Sequence, residues 1–432
     1  MRNRANARPR GWLLTTALLT TFGAGQIQAG ALHDLYLRAL ANDPQLKAAE
    51  ATFNADREAL PQSRAALLPQ VGLSADTSRA DTRSFDGNSH GYTLALSQPV
   101  FDAGSWFNFR RGQVLDEKAQ TEFSLAQQSL IQRTVDVYLA VLRAQSALDV
   151  AEAQERALKR RLDQVNAQFD VGLIAITDVL DAQASYDDAA VQLIDALGAL
   201  RNSFEAIERL GGESVEQISP LKSDYPIQSV RPASIEAWLE RALKDNLEYR
   251  ISRFDQQASR RSLQAARAER LPKLALELQN GESTQGGDWS DSNSIALSLT
   301  MPLYTGGSLS SGITEADLRN QAALFNQEDQ RRNLIEQTRS LLRDLNTSVE
   351  SVKARAQSIE SRETALQATE EGFAVGTRNV VDVLDAENAL YQARLNYANA
   401  RYDHVSTLFR FKQVVGSLSP EDILALDSWL KP

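Results

Sequence analysis

The 432-residue chain contains no cysteine. That absence excludes disulfides, thiolate metal sites, a cysteine nucleophile and an N-terminal cysteine acylated as in exported lipoproteins. Histidine is almost as scarce: His33, His90 and His404 are the only three, far apart, and offer no clustered ligand set. No GxxxxGK[ST] phosphate loop occurs, so nothing in the chain points to nucleotide-driven work. The 12 prolines avoid two very long stretches, 105–171 and 308–375.

Apolar runs are scarce as well. The N-terminal MRNRANARPR holds four arginines and no acid, precedes the apolar GWLLTTALLTTFGAG and ends in small residues near Ala29. This pattern is that of a cleaved signal peptide over 1–29, with the mature chain starting at or near Gly30. A membrane anchor is the weaker reading, because a spanning helix needs roughly 20 apolar residues. No later apolar run is long enough for a spanning helix, which leaves a β-barrel as the route into lipid. Loss of the leader moves the formal net charge from −10 to −14, which disfavours nucleic acid or an anionic surface as partner.

What the sequence does have is a duplication. Arg38, Ala39 and Leu40 recur as Arg241, Ala242 and Leu243, and Arg64, Ala65, Leu68 and Pro69 recur as Arg267, Ala268, Leu271 and Pro272. QPVFDAGS from Gln98 matches MPLYTGGS from Met301, and FDVGLIAITDVLDA from Phe169 matches FAVGTRNVVDVLDA from Phe373. Blocks in register at this spacing predict two structural repeats, 30–232 and 233–432.

Each repeat reads as helix, β-hairpin, long helix, helix. In the first, 34–66 is a single polar, alanine-rich helix. From Pro69 the period becomes two: Val71, Leu73 and Ala75 lead up, and Tyr92, Leu94 and Leu96 return, giving a hairpin over 69–101 around the turn-rich RADTRSFDGNSH. The second hairpin, 272–304, repeats this with Leu274, Leu276 and Leu278 against Ile295, Leu297 and Leu299 around NGESTQGGDWSDS. An aliphatic face opposite a small or polar one suits a strand between lipid and a wet lumen. The proline-free stretches 105–171 and 308–375 carry three–four spaced apolar positions, such as Leu158, Leu162, Val165 and Phe169, and predict rods roughly 100 Å long. Shorter helices over 177–209 and 379–415 return beside them. Segments 211–232 and 416–432 lie outside this pattern. Four strands cannot close a barrel, so a barrel requires oligomerisation.

The D-V-L-D-A motif at 178–182 and 382–386 poses a chemical question, since acids spaced i, i+3 share a helix face. Asn379 is placed to cap a helix with Asp382 at its third position. No histidine lies near to complete a metal site, and a hairpin tip offers no enclosed pocket for acid–base catalysis. No metal, cofactor or catalytic residue is therefore assigned.

FDVGLIAITDV, DSNSIALSLTMPLYTGG, VGTRNVVDVLDAENALYQARLNYANARY and LSPEDILALDSWL together resemble the TolC family of outer-membrane channel-tunnels, over about Leu32 to Trp429. The resemblance implies a mixed α and β membrane protein: a homotrimer with a twelve-stranded barrel in outer-membrane lipid, continuing into a helical tunnel in the periplasm. It implies a passive exit duct for efflux or type I secretion, opened by a periplasmic adaptor and an inner-membrane ABC, RND or MFS transporter. Segments 211–232 and 416–432 would match the equatorial belt. By the same resemblance Asp382 and Asp385 line the entrance, and Asp181 adds an acid where the family often has an amide. Arg378, Thr177 and Asp178 match links that hold the entrance closed, while Phe373 replaces the usual tyrosine and lacks its hydroxyl. Arg161 opposite Glu370 offers an ion pair in place of a neutral contact. The expectation is closure by Arg378 to Asp178 and Arg161 to Glu370. The alternatives from other classes are a periplasmic coiled-coil scaffold or adaptor without a pore and, more remotely, an enzyme using the paired aspartates.

Overall fold

The computed structural model describes residues 31–82, 85–232, 234–285 and 287–431. The expected leader, 1–29, lies outside the described residues.

The first repeat opens with three helices, not one: α1 (Ala31–Asn42), α2 (Pro44–Arg57) and α3 (Ala59–Ala65). Pro44 has no amide hydrogen to continue α1, and Asp43 starts a new helix by accepting from the Leu46 amide at 3.0 Å. Asp43 is buried and held by Arg133 at 2.6 Å, which fixes the bend against the rod. The second break precedes Pro61, whose ring would clash with the carbonyl of Arg57 four residues back. In the second repeat α6 (Ile235–Asp245) and α7 (Leu247–Ala268) break without proline, because Asn246 accepts from the Tyr249 amide at 2.8 Å. A capping side chain alone reproduces the bend there.

The sheet runs β1 (Gln70–Thr82), β2 (Phe85–Phe101), β3 (Lys273–Gln285) and β4 (Asp288–Thr300), all antiparallel in the order β1-β2-β3-β4. The strands extend through much of what composition marks as turn, with Ser78 pairing Ser89 and Thr284 pairing Trp289. Ladder hydrogen bonding overrides local turn preference once a partner strand lies alongside. Register puts Val71, Leu96, Leu278 and Ile295 in one cross-strand row, and Gly72, Ala95, Gln279 and Ser294 in the row behind it. One face is thus aliphatic and the other small and hydroxylated.

The rods are α4 (Ala103–Asp170) and α8 (Ser308–Ala374), with return helices α5 (Ile176–Gly211) and α9 (Val380–Val414), and a short α10 (Pro420–Asp427). At 68 residues α4 is about 100 Å long. Helices α1 to α3 pack on its upper part and α5 on its lower part, while α7 lies between α4 and α8. The largest apolar core, around Leu35, Leu130, Tyr138, Leu142, Phe409 and Ile423, sits at mid-length where α1, α4, α9 and α10 meet. Leu221 bridges Leu430 there, joining the two segments that follow the return helices.

His404 is fully buried in α9 beside Ser348 of α8, with Nδ1 to Oγ at 2.7 Å. The serine hydroxyl donates to the Leu345 carbonyl, so it accepts from Nδ1–H and leaves Nε2 unprotonated and without a partner. Burial depresses this histidine below its ordinary 6.5. An unfolded chain takes up the proton first, so the stability that neutral His404 supports is present above that value and lost as pH falls through the folded one. Thermal unfolding in detergent should show a lower midpoint at pH 5 than at pH 7, and His404→Leu should remove part of that difference; an unchanged difference would refute the assignment.

Candidate functional site

The lower end of the molecule is formed by two helix-hairpin tips. Each rod stops the same way: Leu173 donates to the Gln168 carbonyl at 2.9 Å, and Thr377 to the Gly372 carbonyl at 2.9 Å, around Gly172 and Gly376 at φ of 78° and 77°. This Schellman-type reversal needs the left-handed backbone glycine supplies. The first tip exposes Val171, Leu173 and Ile176, whereas the second exposes Val375, Thr377 and Arg378. The duplication has therefore kept the backbone and changed the surface.

Helix α9 begins with a full capping box: Asn379 accepts from the Asp382 amide at 2.8 Å, and the Asp382 carboxylate accepts from the Asn379 amide at 3.1 Å. Asp382 also faces Arg378 at 4.0 Å. Asp385 is exposed and has no partner among the described residues. Between them Val383 and Leu384 are buried, the latter in a small core with Leu158, Leu162, Val165 and Val380. Phe373 packs on the same core, so its ring is held by apolar contact. In the first copy Ala175 precedes α5 without a side-chain cap, Asp178 is in the first turn, and Thr177 and Asp181 are exposed.

The expected pair of Arg378 with Asp178 is not formed within one chain; Arg378 turns to Asp382 on its own helix start. Gly372 permits this placement, because a Cβ there would come 2.8 Å from the Arg378 Cγ. Arg161 does reach Glu370, through Nη2 at 2.5 Å. The same nitrogen donates to Glu387 of α9 at 2.9 Å, a residue the sequence reading passed over. Arg161 and Glu387 side chains are only 9% and 8% exposed, against 45% for Glu370. Burial pushes the Glu387 carboxyl up, and the guanidinium of Arg161 opposes that only in part. The available signal was spacing: Val380, Leu384, Glu387 and Leu390 follow one another at three or four residues, so Glu387 occupies a seam position where an acid demands a buried partner.

Arg161–Glu387 is the lowest rung of a polar seam between α4 and α9. Gln154 bonds Asn388 at 2.9 Å, Tyr391 donates to the Ala153 carbonyl at 3.2 Å, Ser146 meets Tyr402 at 3.0 Å, Arg143 meets Asp403 at 2.9 Å, and Ser406 donates to Asp136 at 2.7 Å. Among the described residues Arg161–Glu370 is the only hydrogen-bonded or ionic side-chain link between α4 and α8. Among the described residues no group of three or more His, Cys, Asp or Glu side chains could hold a metal ion.

A family model described as outer membrane efflux protein matches the chain twice, over residues 35–213 and 238–417. The outer membrane protein TolC of Vibrio cholerae is 34% identical over 430 residues, covering 97% of this chain and 98% of its own. The alkaline protease secretion protein AprF of Pseudomonas aeruginosa is 29% identical over 411 residues, covering 91% and 85%. The solved Campylobacter jejuni CmeC outer membrane channel superposes with a TM-score of 0.77 at 20% identity, over 93% of this chain and 90% of its own, a likeness of fold.

Removing Glu387 leaves the desolvated Arg161 guanidinium with the half-exposed Glu370 as its one remaining carboxylate, whereas removing Glu370 breaks a half-exposed pair worth about 0–1 kcal/mol. Glu387→Ala should therefore destabilise the detergent-solubilised protein by about 2 kcal/mol or more, and Glu370→Ala by less. Unfolding midpoints in the reverse order would contradict this ranking.

Proposed function

The chain belongs to the outer membrane efflux protein family, and from that premise we propose that three copies close a single passive duct through the outer membrane and down into the periplasm. It is an outer-membrane protein, and its helical part extends into the periplasm. The observation that carries the trimeric reading is the sheet: four strands with β1 and β4 as free edges and one aliphatic face. Open edges are not tolerated in hydrocarbon, and two copies would give a barrel filled by its own side chains, whereas three give twelve strands and an open lumen. A scaffold confined to the periplasm would leave that aliphatic face against water.

Cargo enters at the helical tips. In the trimer Asp382 and Asp385 would place six carboxylates about one axis, an electronegative constriction favouring cations and open to block by multivalent ones. Asp181 would add to the same field from the neighbouring tip. Within its own chain Arg378 faces Asp382 at 4.0 Å, and its link to Asp178 and Thr177 would run across protomers. Arg161 with Glu370 and Glu387 ties the two hairpins of one chain. The links of Arg378 and Glu370 are exposed or half-exposed and individually weak, so docking of a periplasmic adaptor on the tips can release them, while the buried Arg161–Glu387 pair stays in place. The apolar first tip offers that adaptor a contact surface. An inner-membrane ABC, RND or MFS transporter would supply the energy and select the cargo, drug or polypeptide. Catalysis has no part in this reading.

Single-channel recordings test the entrance: Asp382→Ala/Asp385→Ala should lose most cation selectivity and divalent block, and unchanged currents would sink the ring. Asp385→Ala alone should show part of the loss without touching the capping box. For the gate, Arg378→Ser with Arg161→Ala should raise resting conductance, and conductance equal to the unmutated channel would reject those links.

A further inference from the structure

The aliphatic face of the sheet carries an unanswered charge at its free edge. Glu282 of β3 and Asp291 of β4 stand directly opposite each other on that side, in the row that Ala75 and Tyr92 continue across β1 and β2. Like charges so placed repel. The Tyr92 hydroxyl donates to Glu282, which leaves Asp291 without a hydrogen-bond or ion-pair partner among the described residues. Asp291 lies eight residue steps from Leu299, about 27 Å along the strand and about 20 Å of height at the usual tilt. That is inside a lipid-facing band about 25 Å tall, where a lone carboxylate is costly.

One residue on the same face has the opposite sign. Among the described residues Arg79 is the only lysine or arginine at an outward position of the four strands, and it is exposed. It belongs to β1, the other free edge. Both edge strands, Gln70–Thr82 and Asp288–Thr300, are 13 residues long. Antiparallel pairing of β4 with β1 of the next copy therefore has one register that uses both from end to end, Gln70 meeting Thr300 and Arg79 meeting Asp291. The rest of the face agrees: Val71 meets Leu299, Leu73 meets Leu297, Ala75 meets Ile295 and Thr77 meets Asn293, apolar on apolar and polar on polar. A slip of one residue would set the aliphatic side of one strand against the hydroxylated side of the other. A slip of two parts Arg79 from Asp291 and sets Thr77 on Ile295 or Ala75 on Asn293. The register also closes the barrel at a sound pitch. A row begun at Gln70 passes Ser97, Glu277 and Ala296 and enters the next copy at Ser74, so three copies give a shear of about 12 on twelve strands. Shear equal to strand number corresponds to a tilt of about 36°, within the range of membrane barrels.

We propose that Arg79 of one copy pairs with Asp291 of the next at each boundary between protomers, fixing the end-to-end register in which the barrel closes. The partner is a second copy of this chain, because β2 and β3 separate the two charges within one sheet. Backbone bonding is alike in every even register, and the ion pair distinguishes one of them. This inference rests on the barrel reading above.

The cysteine-free chain makes the register readable. Full-length protein carrying Thr77→Cys with Asn293→Cys, oxidised with copper phenanthroline in detergent, should run largely as covalent trimer on a denaturing gel, because directly opposed residues lie within disulfide reach. Thr77→Cys with Ile295→Cys should link little, its positions being diagonal neighbours roughly 7–8 Å apart. Arg79→Gln should lower the temperature at which the trimer dissociates by about 2 °C, and should leave it unchanged in an Asp291→Asn background. Linking at 295 in place of 293, linking at neither in a protein that sediments as a trimer, or an equal effect of Arg79→Gln in both backgrounds overturns the pair and leaves the barrel standing. An unmutated protein that sediments as monomer or dimer overturns the barrel reading and the pair with it.

Discussion

A backbone amide in hydrocarbon has no water to bind, and the rest of this molecule follows from that constraint. A hairpin alone has two bare edges; the duplicated chain supplies two hairpins in one sheet and still has two. In the trimer proposed above, the edge groups of β1 and β4 are met by other copies, so the sheet calls for an oligomer before any helix is considered. The helices inherit the resulting symmetry. They stand below the sheet as rods and return helices of a wall, with their largest apolar core at mid-length, away from both the sheet and the tips.

The distribution of side chains follows from what each level faces. Near the girdle, Tyr138, Leu142 and Phe409 bury fully, as in a globular core. Toward the tips the apolar core shrinks to a small cluster around Leu158, Leu162 and Leu384, and polar contacts take over between the two hairpins. A buried arginine shared by two carboxylates is a poor source of stability but a selective one, since only one arrangement satisfies it. Glu387 is buried at a cost that its raised pKa reflects, and the shared arginine fixes how the hairpins meet.

Much of this was legible in the residues. The repeat, the two hairpins, the proline-free rods and the return helices follow from periodicity and spacing, because each is a local consequence of backbone geometry. What escaped was set by contacts between distant segments. The first helix reads as continuous over 34–66, but Asp43 is pinned by Arg133 ninety residues away and the chain bends there. The strands run past their turn-rich ends because a partner lies alongside. The Arg378–Asp178 pair expected from resemblance is not made within one chain, where Arg378 instead faces Asp382, a local contact that the capped helix start brings close. Glu387 was visible only as an acid in a seam position, and its partners sit on two other elements.

The polar seam between α4 and α9 has a mechanical consequence. An aliphatic seam is tolerant of longitudinal slip, since one turn of displacement replaces each contact with a similar one. The rungs from Asp136–Ser406 down to Arg161–Glu387 are directional and chemically distinct, so a shift of one turn, about 5.4 Å, would unmake all of them together. The two hairpins are thereby indexed to each other like teeth of a rack. Relative movement along their axes is opposed by all the rungs at once, so in the duct proposed above the hairpins would part by splaying from the bottom, which widens an aperture without shortening the wall.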